Sequence, residues 1–133
     1  MNSKEFFLKD TTQVLEDISL LISEYRVFNQ DYVLTANKMM KGIFSFPKFG
    51  DVDYQNGINW NEQRFSRSYL LLLHSHRFLL DLINAYKEFG EPKYIDFALG
   101  IINDWKLRNP MAKPMNPMAW HDHGTAMRLI VWI

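Results

Sequence analysis

The stretch Asn116-Pro117-Met118-Ala119-Trp120-His121-Asp122-His123-Gly124-Thr125-Ala126-Met127-Arg128-Leu129 gathers two histidines, an aspartate, an arginine and a tryptophan at a loop-to-helix junction. A helix beginning around Asp122 would aim its free N–H groups and the positive end of its dipole outward, a favourable place for a carboxylate or sulfate. Arg128 falls on the same helical side as Thr125 and His121. The plainer reading makes Asp122 an N-cap, pairs Arg128 with an acidic neighbour, and leaves the histidines hydrogen-bonded in a partly exposed loop. Neither His121/His123 nor His74/His76 suits a metal, because residues two apart on a helix point to opposite sides and no third ligand lies close in sequence. No metal and no cofactor is expected, and His74 reads as a satisfied helix histidine.

A second group surrounds Trp60, flanked by Asn59 and Asn61. A flat indole beside polar loop residues can stack on a sugar face, and the same features suit a buried anchor that holds a loop. Tyr86 and Tyr94 are assigned to helix-face packing.

The elements that must position these groups are helical. Phe7, Thr11, Val14, Ile18, Leu21, Ile22 and Tyr25 recur at helical spacing and predict a helix over about Lys4 to Tyr25. After Asn29-Gln30-Asp31, whose short polar side chains suit a cap, the same period predicts a helix from about Asp31 to Gly42. Residues 46–60 carry Pro47, Gly50 and Gly57 with no sustained period and predict a long ordered loop. One helix, apolar nearly all round, is expected from about Asn61 to Phe89, ended by Gly90. Pro92 opens the next, whose stripe of Tyr94, Phe97, Ala98, Ile101, Ile102 and Trp105 runs towards Asn109-Pro110. A last helical pattern starts near Trp120 and is still apolar at Ile130 to Ile133, an uncapped ending that predicts truncation. No strand-like alternation stands out, so the expected fold is all-α, with antiparallel helical hairpins.

Composition sets limits. The 133 residues suffice for a single domain, here 1–133, and their hydrophobic fraction of 47% is ordinary for a globular protein. Fifteen Lys and Arg balance fifteen Asp and Glu, so no global field draws nucleic acid or an anionic membrane, and neither partner is expected. Cysteine is absent, which excludes disulfides and thiolate metal sites and leaves the compartment open. No run is long and apolar enough for a membrane span or a signal-peptide core.

The segment Trp120-His121-Asp122-His123-Gly124-Thr125-Ala126-Met127-Arg128 resembles the W-H-D-H-(A/G)-T-A-x-R segment of heparinase II/III-like polysaccharide lyases. Upstream, Gly57-Ile58-Asn59-Trp60, Leu73-His74-Ser75 leading to Ala85-Tyr86, and Ile101 to Trp105 ending at Asn109-Pro110 are similar to that family's N-terminal order of elements. The resemblance covers roughly residues 30–133. It implies an incomplete (α/α) toroid, followed in the intact enzyme by a β-sandwich, and cleavage of a uronic-acid glycoside by β-elimination. It implies an acidic polysaccharide as substrate and the C-terminal remainder of the same enzyme as partner. Trp120, His121, His123 and Arg128 would then contact the sugar, with Trp60 and Asn59 lining the cleft. The catalytic acid-base and neutralising residues are expected beyond Ile133, so the chain alone should lack full activity. Members of the family are often exported, whereas this N-terminus shows no export signal.

Two competing readings remain at this point: a non-catalytic helical module that binds carbohydrate or protein, and a helical-toroid glycoside hydrolase. The latter would need two opposed carboxylates across a cleft, for which Asp51, Asp53 and Asp122 are the available residues.

Overall fold

A computed structural model describes Gln13 and residues 28–132; apart from Gln13, the helix expected over about Lys4 to Tyr25 lies outside them. The described chain runs α1 (Tyr32–Met40), β1 (Ile43–Phe46), β2 (Gly50–Asp53), α2 (Arg67–Ser75), α3 (Leu79–Phe89), α4 (Pro92–Arg108), a 3₁₀ turn (Pro117–Trp120) and α5 (Asp122–Trp132). It is mostly helical.

The mainly helical character is as expected, and a single two-stranded hairpin is the departure from an all-α chain among the described residues. β1 and β2 form an antiparallel hairpin in the register Ile43 to Asp53 and Phe46 to Gly50, with β2 inside the region 46–60 expected to be a loop and β1 between that region and the helix expected to end near Gly42. Each strand has four residues, and only Phe44, Phe46 and Val52 point into the core. Two inward residues on one strand and one on the other are too few to register as a period of two. Lys48 and Gly50 take positive φ at the turn, and Gly42 does so at the hairpin base, where its carbonyl accepts from Tyr54 N–H at 2.7 Å.

The expected single helix from Asn61 to Phe89 is also corrected. Residues 61–66 are not helical, because short side chains capture their backbone: Asn59 Oδ1 accepts from Asn61 N–H and Glu62 Oε1 from Arg64 N–H. A second interruption falls after Ser75. Its hydroxyl donates to Leu72 O at 2.7 Å and accepts from Arg77 N–H, and His76 follows in the left-handed region at φ 60°. The chain is thereby turned between α2 and α3, bringing His74 and His76 both inside. Gly90, left-handed at φ 67°, ends α3, and Pro92 begins α4 as the pattern predicted.

Helix α1 packs on α3, α3 on α4, and α2 on α5. With only Gly90 and Glu91 between them, α3 and α4 make a helical hairpin. The core joins Ala36 and Met39 of α1, the hairpin's aromatics, Leu73, Leu79, Leu80 and Leu82, and the α4 stripe Tyr94, Ala98, Ile101 and Trp105. Phe44 and Phe46 each meet Phe78 edge-on, at 5.7 and 5.6 Å, which ties the hairpin to the turn between α2 and α3. Among the described residues no helix is long and apolar enough to cross a membrane.

Candidate functional site

All four tryptophans of the chain converge on the end of α2. An indole N–H can only donate, so each of these rings fixes the role of its partner. Trp105 Nε1 donates to His74 Nδ1 at 3.0 Å, which places the His74 proton on Nε2, and Nε2 donates to Trp60 O at 2.8 Å. Trp132 Nε1 donates to His76 Nδ1 at 3.1 Å in the same way, leaving the His76 proton on an Nε2 that is buried with no partner. Trp60 Nε1 donates to Asp104 Oδ2 at 2.9 Å, and Trp120 Nε1 to Asn109 O at 2.9 Å. Burial holds both imidazoles neutral, with His74 lowered to about 4 and His76 well below the ordinary histidine value.

Arg128 completes this cluster from α5. Nη1 donates to His74 O at 2.6 Å and Nη2 to Thr125 Oγ1 at 3.0 Å. The guanidinium carbon lies 4.3 Å from the centre of the Trp105 ring and 5.4 Å from that of Trp120. Only 2% of the residue is exposed, and its partners are a carbonyl, a hydroxyl and two indole faces rather than the acidic neighbour of the plainer reading. Desolvation lowers its pKa to about 10, so it stays charged at neutral pH. The carbonyl it engages belongs to the last turn of α2, whose terminal C=O groups carry the negative end of the helix dipole.

The positions fall into two sets. Trp60 and Arg128 are buried, and in this arrangement neither offers a face to a sugar; Trp60 serves as a loop anchor. Trp120 and His121 are half-buried, while Asn59, Asp122 and His123 are exposed. His121 accepts Thr125 N–H through its carbonyl, closing the first turn of α5, and its Nδ1 is buried without a partner. The two candidate segments touch through their neighbours: Asn116 Nδ2 donates to Asn61 Oδ1 at 2.7 Å, joining the Trp60 loop to the turn that leads into α5. Asn116 also caps that 3₁₀ turn by accepting Met118 N–H. Gly124 sits under Leu71 and Met118, where an added Cβ would meet Leu71 Cδ1 at 3.6 Å, an ordinary contact. Either glycine or alanine fits there.

Sequence reasoning identified His74 as satisfied, but not as the point where four segments meet, and it gave Asp104 and Asn116 no role of their own. A usable signal was present: a tryptophan in an apolar stripe, such as Trp105, needs an acceptor for its N–H. Of the carboxylates weighed for hydrolysis, Asp51 is held by Lys38 at 2.7 Å and by the Ser45 hydroxyl on the hairpin. Tyr94 is buried with its hydroxyl donating to Asn37, and Tyr86 lies at the surface. Tyr54, Glu62, Arg64 and Tyr69 form another polar cluster. Tyr69 O–H donates to the Tyr54 hydroxyl, which donates to Glu62, and Arg64 clamps the same carboxylate at 2.8 and 2.9 Å. Arg64 is the main reason the Glu62 pKa falls to about 2. Among the described residues no group of histidines and carboxylates could hold a metal ion.

No curated protein and no solved structure matches the chain. The family model for the heparinase II/III N-terminus does match, over residues 6–131. That span takes in every element described above, from α1 to the last turn but one residue of α5, and the chain belongs to the heparinase II/III N-terminal family.

Proposed function

We propose that this chain is the N-terminal helical part of a lyase that cleaves uronic-acid-containing polysaccharide by β-elimination, and that its task is to hold and orient the acidic sugar. The observation that carries the reading is the family match over residues 6–131. In β-elimination the uronate carboxylate is neutralised, a base removes the C5 proton, and an acid protonates the departing oxygen. Neutralisation is required because a proton beside a free carboxylate is too weakly acidic to leave at neutral pH.

The contributions of this chain come from the exposed start of α5. His121 and His123 flank Asp122 at the helix N-terminus, where the first-turn N–H groups and the dipole favour an anion. Trp120 presents the part of its ring not covered by Trp105 and Arg128, and Asn59 offers an amide to sugar hydroxyls from the adjoining loop. Trp60 and Arg128 act from inside by holding these segments. The α3–α4 hairpin is one unit of an (α/α) toroid that the C-terminal remainder of the enzyme completes, and a β-sandwich beyond it supplies the acid-base and neutralising residues. Residues 1–133 form a single domain within that enzyme.

The test is a binding titration of the complete enzyme with a uronate oligosaccharide and with a neutral oligosaccharide of equal length. His123→Ala should weaken the uronate ligand about tenfold or more and leave weak neutral binding unchanged. Equal affinity of wild type and variant for the uronate ligand would remove the α5 start from the site.

A further inference from the structure

The two exposed segments assigned to the sugar, Asn59 on its loop and His121 to His123 on α5, are fastened to one residue by independent bonds. The His74 side chain reaches the loop through Nε2–H to Trp60 O at 2.8 Å. Its backbone carbonyl receives Arg128 Nη1 at 2.6 Å, and Arg128 in turn holds Thr125, in the first turns of α5. The imidazole's other nitrogen is occupied by Trp105 of α4, so the ring cannot turn without losing two bonds. Both His74 and Arg128 are shut away from solvent, at 0% and 2% exposure, so neither can touch a polymeric substrate in this arrangement.

We infer that His74 and Arg128 are positioning residues, a shared brace that keeps the Asn59 loop and the His121–His123 helix start in one register. The assignment of those segments to substrate rests on the proposed lyase function; the brace itself does not. A buried arginine without a carboxylate is costly unless its donors are used and its charge is met by dipoles and ring faces, as here. Lysine could keep the charge, but its compact ammonium cannot lie as a flat plane against Trp105 and Trp120 while spanning His74 O and Thr125 Oγ1.

The indole N–H protons give separate reporters for the two arms, because Trp60 bonds Asp104 and Trp120 bonds Asn109 O. Hydrogen exchange on the 133-residue chain should separate them. His74→Asn, which can still accept from Trp105 but no longer reaches Trp60 O, should speed Trp60 indole exchange about tenfold; His74→Gln, which restores the donor, should reverse this. Arg128→Lys should speed exchange at Trp120 Nε1–H and Thr125 N–H by a similar factor, about tenfold, leaving Trp60 unchanged. Tyr54 N–H, bonded to Gly42 O in the hairpin, is the control that none of these should move. Should Arg128→Lys not fold, Thr125→Val removes the hydroxyl acceptor alone and should loosen the same α5 reporters.

In the complete enzyme the same variants should lower kcat/KM, mainly through KM, with the pH profile unmoved. The inference is overturned by unchanged reporters, by acceleration that includes Tyr54, or by loss of a pH limb in His74→Asn, which would make His74 a proton-transfer group. If the wild-type enzyme releases no unsaturated uronate, the lyase reading falls, while the exchange pattern still decides the brace.

Discussion

Replacing His74 with glutamine should make the stability of this protein less sensitive to acid. The imidazole is fully buried, with Nε2–H committed to Trp60 O and Nδ1 filled by the Trp105 N–H, so a second ring proton has no acceptor. Burial is the main cause of its pKa of about 4, with Arg128 adding to the effect. In the unfolded chain the same ring takes up a proton near 6.5. Between those values the unfolded state binds more protons than the folded one, so stability is intact above about 6.5 and falls as pH drops towards 4. The displacement is worth roughly 3 kcal/mol when complete, and about 2 kcal/mol of that is gone by about pH 5. His76 acts in the same direction. Asp81 opposes them: burial raises its carboxyl to about 7, so its cost is relieved on acidification over the same window. The comparison must therefore be between variant and wild type at each pH. Chemical unfolding at about pH 7.5 should show His74→Gln less stable than wild type, because Trp105 loses its acceptor, and the gap should narrow by about 2 kcal/mol at about pH 5. A gap that stays constant or widens would refute a neutral, fully bonded His74.

Other substitutions test the remaining packing. Asp81→Asn removes a buried carboxylate that has no hydrogen-bond partner, and should raise stability by about 1–3 kcal/mol near pH 8, the gain shrinking by about pH 5, as read by urea unfolding. Gly42→Ala would force a side chain into φ +93° with its Cβ 2.7 Å from Gln55 Cα, and should cost about 2–4 kcal/mol in the same assay. Gly124→Ala should be neutral or stabilising by up to about 1 kcal/mol in thermal unfolding, since the added Cβ meets Leu71 Cδ1, Arg128 Nη1 and Met118 O at ordinary distances of 3.6 to 3.9 Å and alanine favours helix.

The legible parts of the fold were those built from one repeating face. The α4 stripe of Tyr94, Ala98, Ile101 and Trp105 is buried as its spacing predicts, and Gly90 and Pro92 punctuate the chain where their backbone preferences require. What escaped was decided by tertiary contacts and by single side chains. The leucine-rich run from Tyr69 to Leu73 continues smoothly past Ser75 in hydrophobic pattern, yet the Ser75 hydroxyl and a left-handed His76 end the helix there. The hairpin was hidden because Phe44 and Phe46 fix it through contacts with Phe78 and Tyr69, distant in sequence. At the site, the Trp120 to Arg128 motif was conspicuous, but its internal division was not. Residue types alone do not reveal that Arg128 faces inward onto His74 O while His123 faces out. Of the six residues expected to meet a sugar, Trp60 and Arg128 are buried, and the proposed function therefore rests on Trp120, His121, His123 and Asn59.

The central claim is that these helices belong to an enzyme that eliminates rather than hydrolyses. Product analysis of the complete enzyme on uronate-containing polymers tests it most directly. Each chain break should yield a new non-reducing end bearing a C4–C5 double bond, seen as a rise in ultraviolet absorbance in step with new reducing ends, and this 133-residue chain alone should yield none. Reducing ends without unsaturation would mean hydrolysis, and intact polymer would mean a binding module; either would contradict the account.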